Sequence, residues 1–266
     1  MKTLPFIKMH GLGNDYIYVD CFRSNTAQKI AGADLSALAR RVSDRHFGIG
    51  SDGLVLMLPS KAADAKMRIF NADGSEAEMC GNAIRCVAKY LYESGICREE
   101  HMEIETLSGI RSLALQVLFG KVVQVTVNMG KPLIRQASIQ CGIDPIGYTA
   151  VNIGNPHAVF FREVVPQLPT NTNVEFMRVR NKHELDVRVI ERGSGETLAC
   201  GTGACAAVAA AIYHGLTKRT VTVHLPGGDL QIQWKTDLSP VFMTGPATEV
   251  FRGELSTEKL IAENSE

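Results

Sequence analysis

No charge of either sign is in excess in this chain. Lys and Arg number 28, Asp and Glu number 28, and the formal net charge is zero. A nucleic-acid binder or a protein held on an anionic membrane would carry a basic surplus, so neither partner is expected. Long apolar runs are also missing: none reaches the roughly 18 residues of a membrane span. The opening MKTLPFIKMHGLGND lacks the apolar core of an export signal. That predicts a reducing, cytoplasmic setting in which thiols stay free. The seven cysteines are odd in number and include no Cys-x-x-Cys pair, which excludes zinc-ribbon and thioredoxin patterns. The histidines at 10, 46, 101, 157, 183, 214 and 224 show no metal-ligand spacing, and no metal is expected. Residues 48–53 satisfy G-x-G-x-x-G, but a helix-like segment precedes them and LVLML follows. Dinucleotide sites need the reverse order, strand then helix.

What is present is an ordinary globular composition, 45% hydrophobic over 266 residues. At about 150 residues per domain, that length makes one large or two small domains. Short β-like runs dominate: YIYVD (16–20), LVLML (54–58), MEIET (102–106), LALQVLF (113–119), VVQVTVNM (122–129), AVFF (158–161), VRVI (187–190), TVTVHL (220–225) and LQIQW (230–234). Three helices are predicted. One covers 34–45 with Asp34 as its cap. A second follows Cys80, with Ile84, Val87, Ala88 and Leu91 on one face and a stop at Gly95. A third follows Cys200, reads ACAAVAAAIY and stops at Gly215. Being apolar on every side, it is expected to be buried all round, with a curved sheet wrapped around it.

The chain contains an internal repeat. SEAEMCGNAIRCVAKYLYESG (75–95) aligns with GETLACGTGACAAVAAAIYHG (195–215), so Cys80 matches Cys200 at 200 − 80 = 120, and Gly81 matches Gly201. Upstream, Gly13-Asn14 precedes YIYVD and Gly154-Asn155 precedes AVFF. The repeat predicts two domains of one fold related by an approximate two-fold axis. The boundary falls near Asn128–Pro132, giving a domain of 1–128 with 247–266 that carries Cys80 and a domain of 129–246 that carries Cys200.

Each paired cysteine stands at a helix start, among amides that lack an intrahelical acceptor and at the positive end of the macrodipole. That environment lowers a thiol's pKa and suits a carboxylate ligand. Two such ends brought together would hold one carboxylate with a thiol on each side. Inverting an amino-acid α-carbon needs a base on one face and an acid on the other, with the carbanion stabilised by charge or by a cofactor. A disulfide-forming redox pair would also need close thiols, and the sequence alone separates the two poorly. Asn71 and Glu191 each precede their cysteine by nine. Different residues at matched positions mark a broken symmetry, as a substrate with two similar ends and one reacting centre requires.

The segments KMHGLGNDY (8–16), RHFGIGSDG (45–53), FNADGSEAEMCGNAIR (70–85), IGNPHAVF (153–160), NVEFM (173–177) and ERGSGETLACGTGAC (191–205) together resemble the diaminopimelate epimerases along nearly the whole chain. The resemblance implies an α/β (α+β) fold of two pseudo-symmetric domains, each a curved mixed sheet or barrel around a central helix. It implies an isomerase that interconverts LL- and meso-diaminopimelate without a cofactor, on the route to lysine and peptidoglycan, in a homodimer. By motif, Cys80 and Cys200 are the acid and base. Asn14, Asn71, Asn155, Asn173, Glu191 and Arg192 hold the substrate, the Gly81, Asn82, Gly201 and Thr202 turns hold its reacting carboxylate, and His157 supports the site. Gly53 stands where some members have a ligand-touching Gln, and Gly-Asn-Ala-Ile-Arg stands where others read Gly-Asn-Gly-Ala-Arg. The alternatives are a related racemase of another amino acid (proline, hydroxyproline, histidine or a phenazine-pathway type) and a non-catalytic redox or amino-acid-binding protein.

Overall fold

The computed structural model of the chain describes residues 3–141, 144–162 and 171–256; the expected domain segment at 257–266 lies outside them. In chain order the elements are β1 (Thr3–Gly11), β2 (Asn14–Asp20), α1 (Ser24–Ile30), α2 (Leu35–Ser43), β3 (Gly53–Leu58), β4 (Ala65–Asn71), β5 (Glu76–Ala77), α3 (Gly81–Glu93), β6 (His101–Thr106) and β7 (Gly109–Leu118). They continue with β8 (Lys121–Gly130), β9 (Leu133–Cys141), β10 (Asp144–Asn152), β11 (Pro156–Phe160), β12 (Asn173–Asn181), β13 (Glu184–Glu191), β14 (Gly195–Thr197) and α4 (Gly201–Tyr213). The last are β15 (Thr220–Leu225), β16 (Gly228–Gln233), β17 (Val241–Gly245) and β18 (Thr248–Ser256).

Two units form. One draws on Met1–Gly11, Asp15–Val125 and Ala247–Glu266 so far as these are described, the other on Leu12–Asn14 and Thr126–Pro246. In the first unit β1 lies between β18 and β2. Next, β2 pairs parallel with β3, β3 antiparallel with β4, β4 parallel with β6 and β6 antiparallel with β7. The second unit repeats this order. β10 lies between β9 and β11, β11 pairs parallel with β12, β12 antiparallel with β13, β13 parallel with β15 and β15 antiparallel with β16. Its sheet runs on through β17. A parallel neighbour cannot be reached by a tight turn and needs a crossover. Helix α3 is the crossover from β4 to β6, and α4 the one from β13 to β15. The result is the expected mixed, strand-dominated α+β fold, with each sheet open rather than closed.

The helices follow local chemistry. The Asp34 side chain accepts from the Ala37 N–H and starts α2, which lays Leu38 and Val42 on Leu54, Leu56 and Phe70. Helix α4 is Ala-rich, which lets strands approach closely on all sides. It packs against β9 to β13 and β15 to β17, and Ala204 through Ala211 are fully buried. Helix α3 was expected to show one apolar face, but Ala83, Ile84, Arg85, Cys86, Val87 and Ala88 are all fully buried. It too is buried all round, and within it Arg85 turns its Nη1 back onto the Gly81 carbonyl at 3.1 Å. Helix α1 was not expected: its sequence has no apolar period, and it is ordered by Ala27 and Ile30 packing on the α2 core and by Lys29 donating to the Thr3 carbonyl.

Candidate active site

Each repeated cysteine is the N-cap of its helix. Cys80 has extended backbone, φ −135° and ψ 120°, and its Sγ accepts from the Ala83 N–H at 3.5 Å. Cys200 has φ −119° and ψ 112°, and its Sγ accepts from the Gly203 N–H at 3.4 Å. Sulfur thus stands where Ser or Asp normally caps a helix. The same turn carries Gly81 and Asn82 in one unit and Gly201 and Thr202 in the other, the first amides of each helix, which suit a carboxylate. Cys80 is half-buried, whereas Cys200 is 5% exposed.

The first unit holds Asn71, Cys80, Gly81 and Asn82. Asn71 ends β4, where its Nδ2 donates to Ser75 Oγ at 3.0 Å. Gly53 pairs with Asn71 across the sheet, and a Cβ there would lie 2.0 Å from the Phe70 carbonyl oxygen and 2.8 Å from the Tyr16 ring. No side chain fits, so a contact from this position is sterically forbidden. The charged residues of the first two motifs form one structural network that sequence reasoning missed. Lys8 pairs with Asp15, and Arg45 bridges Asp15 and Asp52 at 2.9 Å each. Burial raises the Asp15 carboxyl, but Arg45 and Lys8 outweigh it and hold the group below the usual range.

In the second unit Asn155, His157, Asn173, Glu191, Arg192, Cys200, Gly201 and Thr202 lie on neighbouring elements linked by hydrogen bonds and strand pairing, and Asn14, the first residue of β2, is grouped with this unit. Asn173 Oδ1 accepts from the Arg192 backbone N–H at 2.9 Å, which fixes the turn bearing the exposed Arg192 side chain. Glu191 accepts from Thr197 Oγ1 at 2.6 Å. Thr202 Oγ1 lies 3.5 Å from Cys200 Sγ, and Asn155 Nδ2 donates to Thr202 Oγ1 at 3.4 Å. His157 Nε2 is 2.9 Å from Asn155 Oδ1, and its Nδ1 is 2.6 Å from Glu175 Oε1. Glu175 was not singled out from the sequence. The available signal was an acidic residue inside the otherwise apolar stretch of NVEFM.

Helix-end placement alone predicts a lowered thiol pKa, and for Cys200 the structure corrects this. Burial pushes the thiol well above its usual value and the Glu191 charge adds to it, against the donors on Thr202 and Gly203. Desolvation outweighs these donors because the sulfur has little water around it. The G-x-G-x-x-G stretch is spent on structure: Gly50 N–H donates to the Val42 carbonyl and Ser51 N–H to the Ser43 carbonyl, both at 3.0 Å. Those amides close the end of α2 and leave no phosphate cradle. Among the described residues no three His, Cys, Asp or Glu side chains are grouped to hold a metal ion.

A sequence model of the Diaminopimelate epimerase family matches residues 6–134 and 162–250. The chain belongs to the diaminopimelate epimerase family. A diaminopimelate epimerase of Pelotomaculum thermopropionicum is 49% identical over 280 positions, covering 94% of this chain and 98% of that one. Another, of Acetivibrio thermocellus, is 47% identical over 286 positions, covering 97% and 100%. Among solved structures, a hydroxyproline epimerase of Agrobacterium vitis superposes with a TM-score of 0.71 at 17% identity, covering 95% of this chain and 92% of that chain. A phenazine biosynthesis protein of Bacillus anthracis gives 0.70 at 17%, covering 96% and 100%. Likeness at that identity speaks for the fold alone. In this member of the family, the cysteine caps and the amide-rich turns sit on the most deeply buried helices of the fold.

Proposed function

We propose that this chain is an isomerase that interconverts LL-2,6-diaminopimelate and meso-diaminopimelate by a two-thiol mechanism, supplying lysine and peptidoglycan precursors. One observation carries the reading: the two repeats place a cysteine sulfur in the same N-cap position, beside amides suited to a carboxylate. In the proposed reaction the α-carboxylate rests on the first amides of α3 and α4, where charge develops as the α-proton leaves. One thiolate removes that proton while the opposite thiol delivers another to the far face. Burial keeps Cys200 protonated, which suits it to deliver the proton in one direction; in the other the cysteines exchange roles. Asn14, Asn71, Asn155, Asn173, Glu191 and Arg192 are assigned to the substrate, with Arg192 suited to the distal carboxylate. His157 acts as a support. The domains in this reading are 1–128 with 247–266 and 129–246. The racemase alternative rests on fold likeness at 17% identity.

Incubation of reduced protein with LL-diaminopimelate, followed by circular dichroism, tests the reading. The signal is expected to relax toward the meso isomer with no added cofactor; a flat trace from folded protein would overturn it. Cys80→Ala or Cys200→Ala is expected to slow epimerisation by at least about a hundredfold, while either variant retains α-proton exchange from one isomer. We assign the protein to the cytoplasm as a homodimer. Size-exclusion chromatography with light scattering is expected to give twice 29.0 kDa, and a mass of one chain would contradict the assignment.

A further inference from the structure

The least economical feature of the second unit is a carboxylate buried without full compensation. Glu175 is fully buried and its Oε1 meets His157 Nδ1 at 2.6 Å. Its Oε2 has no hydrogen-bond partner among the described residues. An unpaired buried oxygen destabilises a fold, and the matched positions of the other repeat avoid it. Tyr16 pairs with Gly53, and Val55 lies two places further along that strand. His157 pairs with Asn173, and Glu175 lies two places further along its strand. The first unit therefore has Tyr16 and Val55 where the second has His157 and Glu175. The third residue of the helix changes in step, from Ala83 to Gly203. A Cβ on Gly203 would lie 2.9 Å from Glu175 Oε1, so the glycine makes the room for this carboxyl.

The hydrogen bonds leading away from Glu175 have a direction. An amide oxygen only accepts, so the 2.9 Å contact with Asn155 Oδ1 requires a proton on His157 Nε2. Two states then satisfy the 2.6 Å contact at Nδ1: imidazolium against carboxylate, or neutral imidazole accepting from a carboxyl. Both hold the same two protons, both are neutral overall, and both keep Nε2–H on Asn155. Asn155 Nδ2 donates to Thr202 Oγ1 at 3.4 Å, which leaves the Thr202 hydroxyl proton for Cys200 Sγ at 3.5 Å. We propose that Glu175 is a positioning residue for Cys200: by holding the His157 ring with Nε2–H on Asn155, it orients the Asn155 and Thr202 hydrogen bonds so that the chain ends in a hydroxyl proton donated to the Cys200 sulfur. Without Glu175 the ring is free to carry its proton on Nδ1. Asn155 then turns its Nδ2 toward Nε2, Thr202 donates to the Asn155 oxygen instead, and the sulfur loses its donor. Burial pushes the Cys200 thiol up, any negative charge on Glu191 and on Glu175 itself adds to that, and the Thr202 hydroxyl is the side-chain donor that opposes them. When Glu175 is removed, the loss of this donor outweighs the loss of the Glu175 charge.

The relevance of this chain of bonds to catalysis rests on the epimerase reading, but its test does not. Full-length protein without substrate is alkylated with iodoacetamide across a pH series, and the rate at Cys200 is read by peptide mass spectrometry. Glu175→Leu is expected to move the Cys200 midpoint upward by about one pH unit, a roughly tenfold loss of rate at fixed pH below it. Glu175→Gln, whose amide can donate to Nδ1 and keep the direction, is expected to hold the wild-type midpoint. Thr202→Val is expected to match Glu175→Leu, and the double variant to add nothing. If Glu175→Leu does not fold, Glu175→Asp, which withdraws the carboxyl from the 2.6 Å contact, carries the same expectation. An unchanged or lowered midpoint on losing the carboxyl contact, or equal shifts for the Gln and Leu variants, would overturn the proposal, since Glu175 would then act by charge or packing. In the diaminopimelate assay, Glu175→Leu is expected to lower kcat and leave KM near wild type.

Discussion

A sulfur in the N-cap position faces opposed demands. The helix end favours a thiolate, while the apolar surroundings favour a thiol. For Cys200 burial wins, and the balance is set by named neighbours: Glu191 and Glu175 against deprotonation, Thr202 and Gly203 for it. Cys86 and Cys21 show what burial does away from a helix start. It pushes them up to about 11 and about 12 respectively, and they behave as packing residues. Asn173 illustrates the reach of a single amide, because its Oδ1 holds the Arg192 backbone rather than any side chain. Asn173→Ala is expected to release that turn and raise KM for diaminopimelate about tenfold, the worth of one buried hydrogen bond of about 1.4 kcal/mol, with a smaller change in kcat. Steady-state kinetics check this, and an unchanged KM would contradict it.

At the scale of the element, α3 and α4 were legible because their cause is local: a cap, an apolar stretch and a terminal glycine. Several strands were not. β1 contains Pro5, Lys8 and His10, and no local pattern marks it. It is held by β18, with Thr3 opposite Ser256, 256 − 3 = 253 positions away. β9 and β18 are rich in polar residues and do not read as strands by apolar content. Gly203 shows that one position can serve helix and site in opposite senses. Gly203→Ala favours the helix by about 1 kcal/mol, yet its Cβ would meet Glu175 Oε1 at 2.9 Å and Val189 at 3.1 Å. The variant is expected to keep its melting temperature within a few degrees while losing most of its epimerase activity. Full activity at wild-type stability would show that the Glu175 position is not constrained by Gly203.

At the scale of the whole molecule, burial of thiols gives an alkaline limit to stability. The folded state holds Cys86 protonated up to about 11, whereas an ordinary thiol releases its proton near 9.0. Between those values the unfolded chain binds fewer protons than the folded one, so stability falls as pH rises. The loss is up to about 1.4 kcal/mol per pH unit for this one group. Melting temperature is expected to be level from about neutral pH to 9.0 and to decline toward about 11, and less steeply in Cys86→Ala; a flat profile across the alkaline range would contradict it. The repeat itself was determined by the sequence alone. Residues at an offset of 120 carry the same cap and helix, and neutral composition left positive potential to helix ends rather than to Lys and Arg. The differences within the repeat were decided by tertiary structure. Gly53 against Asn173, Val55 against Glu175 and Ala83 against Gly203 are unremarkable along the chain. They acquire meaning when strand register sets Gly53 against the Phe70 carbonyl and Glu175 beside His157 and Gly203. A local pattern records which residues can cap a helix or line a sheet, whereas the cost of a buried carboxylate and the direction of a hydrogen-bond chain depend on what lies opposite, and only packing settles that.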